Sequence, residues 1–230
     1  MSSPIEQAPA PNEATPGSAF QCWQQGYGVI RHSEQTSARV RELAGKLVSA
    51  GHQPDEDTVY RKLIALDRLA SAGLWLVVHM TYCNRVDIAG APLVAQDFKA
   101  SPEGHTGGAL NMVPAYAAYL ALNNLTGKTR SWLMGQGHCV AAIESVNILL
   151  GNLHPEQQAR YTLDEVGLSR LVSDFYSYAV TPDGTPGVPL GSHVNPHTAG
   201  GLIEGGYLGF AELQYAHMPL PGETLVAFLS

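Results

Sequence analysis

Charge is scarce in this chain: only 14% of its 230 residues are Asp, Glu, Lys or Arg, and 13 basic residues face 20 acidic ones. The resulting formal net charge of −7 argues against a general nucleic-acid binder, which needs a basic stripe to neutralise phosphates. A small anionic substrate would have to find local Lys, Arg or His side chains or backbone N–H groups, because the overall field is mildly repulsive. Cysteine is scarcer still. Cys22, Cys83 and Cys139 are odd in number, far apart and never spaced Cys-x-x-Cys, so neither a disulfide framework nor a zinc knuckle is expected. No run approaches the about 18 consecutive apolar residues of a bilayer span, and the N-terminus lacks a basic n-region followed by an apolar stretch. No internal repeat is present. These absences lead to the expectation of a soluble protein of the reducing cytoplasm, without nucleic-acid or membrane partners.

What is there is apolar surface. With 45% hydrophobic residues the chain has the composition of a compact globular protein, and its low charge anticipates surface that becomes covered. Residues 1–18 carry Pro4, Pro9, Pro11 and Pro16 among Ala, Ser and Glu and are expected to form a disordered leader. Residues 19–100 read as a helical segment. Val40, Leu43, Ala44, Leu47 and Val48 fall on one helical stripe between Thr36 and Ala50. A second stripe, Val59, Leu63, Leu66 and Ala70, begins behind Asp55 and Asp57 and is expected to stop at Gly73. The apolar run from Leu74 to Tyr82 fits either a buried strand or a continuing core helix.

Residues 101–230 read differently. A buried helix from Leu110 to Asn124, a short parallel strand Ser131–Met134, a glycine turn and an apolar helix Val140–Leu150 follow in order. That order is the unit of an open parallel sheet, whose ligands bind at the carboxyl ends of strands. Further helices are expected over Asp164–Tyr178 and Ile203–His217, and Thr224–Leu229 reads as a buried strand. The expected fold class is therefore α/β, a parallel sheet flanked by helices. Between Val180 and Gly201 lies a loop rich in Pro and Gly, long enough to imply a function.

Three histidines share a glycine-rich backbone setting: Gly104-His105-Thr106-Gly107-Gly108, Gly135-Gln136-Gly137-His138, and Gly191-Ser192-His193. Glycine lets a ligand approach the main chain, so each imidazole is expected at a loop or helix entrance, and the trio reads as a polar active site. His193 and His197 have the i, i+4 spacing of a zinc pair, but Pro196 lies between them, and metal ligation is not expected. Cys139 adjoins His138, yet sequence neighbours point apart, so it is read as a packing residue rather than a nucleophile. Glu204-Gly205-Gly206-Tyr207-Leu208-Gly209 fits a helix start with Glu204 placed for the dipole, and equally a set of N–H groups open to an anionic cofactor. Asp97, Lys99 and Glu103 read as solvated loop charges. His32, His52, His79, His154 and His217 read as surface or core histidines.

The motifs Gly104-His105-Thr106-Gly107-Gly108-Ala109-Leu110-Asn111-Met112, Gly135-Gln136-Gly137-His138, and Ser192-His193-Val194-Asn195-Pro196-His197-Thr198 running on to Glu204-Gly205-Gly206-Tyr207-Leu208-Gly209 stand in the order seen in thiamine-diphosphate enzymes. Together, over roughly 102–230, they resemble the N-terminal domain of D-xylulose 5-phosphate/D-fructose 6-phosphate phosphoketolases. Thr106 stands where those enzymes carry tryptophan, and Cys139-Val140-Ala141 where they carry glycines and proline. The resemblance implies a partial thiamine-diphosphate-binding domain of the transketolase-like type, incomplete at its C-terminus, with the Mg²⁺ and diphosphate ligands beyond Ser230. It implies a longer enzyme, a homodimer or higher oligomer, cleaving a ketose phosphate with inorganic phosphate to acetyl phosphate and an aldose phosphate, while this chain alone is inactive. His105, His138 and His193 are then the proton-transfer residues, and Glu204, Gly205 and Gly206 the cofactor-binding ones. A transketolase-type two-carbon transfer fits His105 and His138 equally well, and a non-catalytic remnant that binds a partner subunit is the alternative outside enzymes.

Overall fold

The computed structural model describes residues 18–134, 137–177, 179–184, 187–188 and 224–228. Two helices open it. Helix α1, Ala19–Gln24, starts in a reciprocal capping box in which Ser18 and Gln21 each serve the other's backbone N–H. Helix α2, Glu34–Ser49, is capped by Ser33, whose hydroxyl accepts the Thr36 N–H at 3.1 Å. Both pack on the first half of α3, Glu56–Tyr82, through a cluster of Trp23, Ala44, Leu47, Val59, Tyr60 and Leu63. His32, just before α2, is a core residue: its Nε2 lies 2.8 Å from Asp67 Oδ2, and its ring stacks on Trp23 at 4.3 Å. Burial pushes the Asp67 carboxyl up against the opposing pull of His32.

Helix α3 does not stop at Gly73. It runs on through Leu74–Tyr82, which resolves the ambiguous apolar run as helix. The reason is packing. A Cβ at Gly73 would stand 2.9 Å from Val113 Cγ1 and 3.5 Å from Ser145 Oγ, so this glycine lets α3 lie against α4, Thr106–Thr126, and α5, Val140–Leu149. The close approach outweighs the roughly 1 kcal/mol that glycine costs inside a helix. By length and composition α3 could cross a bilayer, yet Leu76, Val77 and Met80 are fully buried in the main core with Val113, Tyr116, Ala117, Ile143 and Val146. Helix α5 is covered on every side, Glu144 and Ser145 included.

After α4 ends at Gly127, which adopts the left-handed conformation (φ 63°) suited to a helix stop, strand β1, Ser131–Met134, runs parallel to β2, Leu225–Phe228, with Ser131 opposite Leu225 and Met134 opposite Phe228. The architecture of the described residues is thus helical around a small parallel sheet, consistent with an α/β class. The C-terminal run is less buried than its composition suggests: Val226 and Phe228 touch the core while Ala227 is exposed, the alternation of a strand with one covered face. Helix α6, Pro155–Arg160, buries no residue, and Leu168, Leu171 and Val172 of α7, Glu165–Asp174, close the core. Helix α7 is shorter than the Asp164–Tyr178 expected, because Phe175 turns extended and Tyr176 takes a left-handed conformation at φ 62°. The expected helix over Ile203–His217 lies outside the described residues.

Candidate functional site

His105 is the N-cap of α4. The helix begins at Thr106, earlier than its apolar pattern, because the imidazole closes it: Nδ1 accepts the Gly108 backbone N–H at 3.0 Å. This is the bond that a Ser or Asp hydroxyl or carboxylate ordinarily supplies at a cap. It fixes the tautomer of the neutral ring, leaving the proton on Nε2. His138 arrives from the other side, on a single 3-10 turn, Gly137–Cys139, between β1 and α5. The two rings meet edge to face, 4.4 Å between centroids at 64°. Burial and, secondarily, the neighbouring His105 hold the His138 imidazole below the usual histidine range, so it is neutral at pH 7.

A glycine makes this meeting possible. A Cβ on Gly108 would lie 2.8 Å from both His105 Nδ1 and Cys139 Sγ, so any side chain there would displace the cap or the packing beneath it. Cys139 is 2% exposed and its thiol is pushed up to about 11 by burial, which suits a packing residue and not a nucleophile. Cys83 is also buried, with its thiol raised, whereas Cys22 is exposed. The expected result with an aromatic disulfide reagent is one thiol titrated in the native chain and three after unfolding; fast native reaction of Cys139 would contradict this placement.

Two residues missed from the sequence, Lys99 and Tyr176, brace the chain around Phe175. Lys99 is not a solvated loop charge. Its ammonium donates to Met80 O at 2.7 Å and Phe175 O at 2.9 Å, at the carboxyl ends of α3 and α7 where a cation is favoured, and burial lowers its proton affinity. Asp97 is likewise engaged, accepting from Arg85 at 3.2 Å and from the Val94 N–H at 2.9 Å. Tyr176 is the second. It is the one non-glycine residue with positive φ among those described, and no residue pattern in the sequence marks it. Nor does any local pattern mark Lys99, whose acceptors lie 19 and 76 residues away in the chain.

Of the residues read as site residues, His105 and His138 are brought together. His193, Glu204, Gly205 and Gly206 lie outside the described residues. Among the described residues no His, Cys, Asp and Glu side chains group into a metal site. What the described pair offers is two adjacent imidazoles at a helix entrance, one with its proton on Nε2 and one held neutral. That donor set suits proton transfer to and from a substrate hydroxyl.

Comparison with known proteins gives a consistent set of similarities. The profile described as the XFP N-terminal domain matches residues 58–218, reaching back into α3 and across His105 and His138. The chain is 30% identical over 162 residues to a protein named probable phosphoketolase 2 from Lactiplantibacillus plantarum, covering 70% of this chain and 19% of that protein. It is 31% identical over 148 residues to a probable phosphoketolase from Lactococcus lactis (63% and 17% covered) and 30% identical over 149 residues to the xylulose-5-phosphate phosphoketolase of Lactiplantibacillus pentosus (64% and 17%). The chain spans under a fifth of the length of these relatives. No solved structure matches it.

Proposed function

The chain belongs to the XFP N-terminal domain family, that of the phosphoketolases, and from that premise we propose that it forms part of a thiamine-diphosphate-dependent phosphoketolase. The reaction is cleavage of a ketose phosphate, xylulose 5-phosphate or fructose 6-phosphate, with inorganic phosphate to acetyl phosphate and an aldose phosphate. The name of the Lactiplantibacillus pentosus relative favours the pentose phosphate. The observation that carries the reading is the meeting of His105 and His138, two motif histidines from separate segments, at 4.4 Å.

Bound thiamine diphosphate supplies the electron sink for carbon–carbon cleavage. The protein supplies orientation and proton transfer. Cleavage removes a proton from one substrate hydroxyl, and the later loss of water protonates another. His138, held neutral by its surroundings, is suited to accept the first proton. The Nε2–H of His105, left free by the Gly108 bond at Nδ1, is suited to donate or to hold a hydroxyl oxygen. His193 joins them in this reading, and Glu204, Gly205 and Gly206 are the residues proposed to approach the cofactor; all four lie outside the described residues. The site works in the cytoplasm within a homodimer or larger assembly.

The test is acetyl phosphate formation by a full-length enzyme carrying this domain, given Mg²⁺, thiamine diphosphate, xylulose 5-phosphate and phosphate. Two-carbon transfer to an aldose acceptor without acetyl phosphate would establish the transketolase-type reaction instead. The 230-residue chain alone is expected to turn over neither substrate, and calorimetry with Mg²⁺ and cofactor is expected to show no binding at micromolar concentrations.

A further inference from the structure

Tyr176 is held in a conformation that few side chains adopt, and it packs on the segment that leads into His105. Its φ of 62° places a bulky residue in the left-handed region, a strain that persists only where the surroundings impose it. The ring stands edge-on against Phe175 at 4.3 Å. It fills the space above Gly104, where a Cβ would meet Tyr176 Cε2 at 2.7 Å. Gly104, itself at φ 126°, is the residue directly before His105. The His105 backbone N–H faces the Tyr176 phenol and draws its proton affinity down, against the larger lift from burial. From below, Lys99 fixes the preceding peptide by donating to Phe175 O at 2.9 Å while its second bond, to Met80 O at 2.7 Å, ties that peptide to the end of α3.

We infer that Tyr176, anchored by Lys99, is the positioning residue of His105: it clamps the backbone before α4 so that the imidazole both caps the helix through Nδ1 and presents Nε2 beside His138. The inference rests on the reading of His105 as a proton-transfer residue. The clamp explains why strain is tolerated here. Phenol, ring and peptide each engage a different neighbour, so relaxing Tyr176 to an ordinary backbone angle would release the His105 N–H, the packing over Gly104, or the Lys99 bond.

The experiment is histidine ring and backbone NMR on the 230-residue chain, comparing the parent with Tyr176→Phe and Lys99→Met. In the parent the neutral His105 ring is expected as a single Nε2–H tautomer, with its backbone amide protected. Tyr176→Phe keeps the ring and removes the hydroxyl; the His105 amide is expected to exchange about five- to tenfold faster, the change of one net hydrogen bond. Its Nδ1 signal is expected to move toward a tautomer mixture. Lys99→Met is expected to act in the same direction. A purely structural role would lower the melting temperature and leave the His105 signature in place, and that result in Tyr176→Phe overturns the inference. These signals need no cofactor or turnover. A moved His105 signature in a domain whose full-length enzyme makes no acetyl phosphate would therefore sink the functional reading alone.

Discussion

His105→Asn in a full-length enzyme carrying this domain is expected to cut acetyl phosphate formation by about 10²–10⁴-fold, the usual worth of a positioned acid–base group, while the domain stays folded. Asparagine separates the two duties of His105. Its side-chain oxygen accepts the Gly108 N–H as well as any cap residue does, so the bond at 3.0 Å that begins α4 survives, and the change in stability is expected within about 1 kcal/mol. What asparagine cannot do is carry a proton that exchanges near neutral pH. The paired measurements are a discontinuous acetyl phosphate assay and a thermal melt on one preparation. Unchanged activity would remove His105 from the chemistry, and loss of both activity and fold would show only the cap. The same geometry fixes the pH profile. Because burial and His105 hold the His138 imidazole below the ordinary 6.5, the acid limb of the rate, where a base is lost by protonation, is expected below that value; a limb above it would oppose the assignment.

The sequence and the structure agree where one physical signal dominates and part where two compete. The helical stripe of Val40, Ala44 and Leu47 and the strand Ser131–Met134 were legible because their periodicity and length have few rivals. Gly73 was read as a stop because glycine is a poor helix former, and nothing local reveals that Val113 and Ser145 approach within reach of its missing Cβ. A glycine that ends a helix and one that admits a neighbouring helix look identical in sequence. The same limit applies to the site. Glycine neighbours singled out His105 and His138, and the flanking Gly108 explains the pairing once Cys139 is seen beneath it. The start of α4 at Thr106 was hidden because histidine is not among the usual caps. Lys99 and Tyr176 were not legible: the acceptors of one lie at residues 80 and 175, and the left-handed backbone of the other runs against its residue type.

The second large effect concerns a group outside the site, and it is one of stability. Glu144 sits 3% exposed on α5 inside the main core, and burial pushes its carboxyl up to about 7. Burial is the cause of that shift, and among the described residues no cation pairs with the carboxyl, which marks it as kept neutral by its surroundings. The sign follows from proton counts. Between the ordinary carboxyl value of 4.5 and about 7 the folded chain holds a proton that the unfolded chain has released. Stability from this group is therefore complete below the lower value, falls as pH rises through the interval, and is lost above the upper one. The separation corresponds to at most about 3 kcal/mol. Glu144→Gln keeps the shape and cannot ionise, so it is expected to match the parent near pH 4.5 and to be more stable by about 1–3 kcal/mol at pH 8. Urea unfolding of the two chains at both pH values reads the difference directly, with other titrating groups cancelling between them. A stability gap that does not widen from acid to alkaline pH would mean that the carboxyl is ionised inside the fold, matched by a positive or hydrogen-bonding partner that offsets its burial.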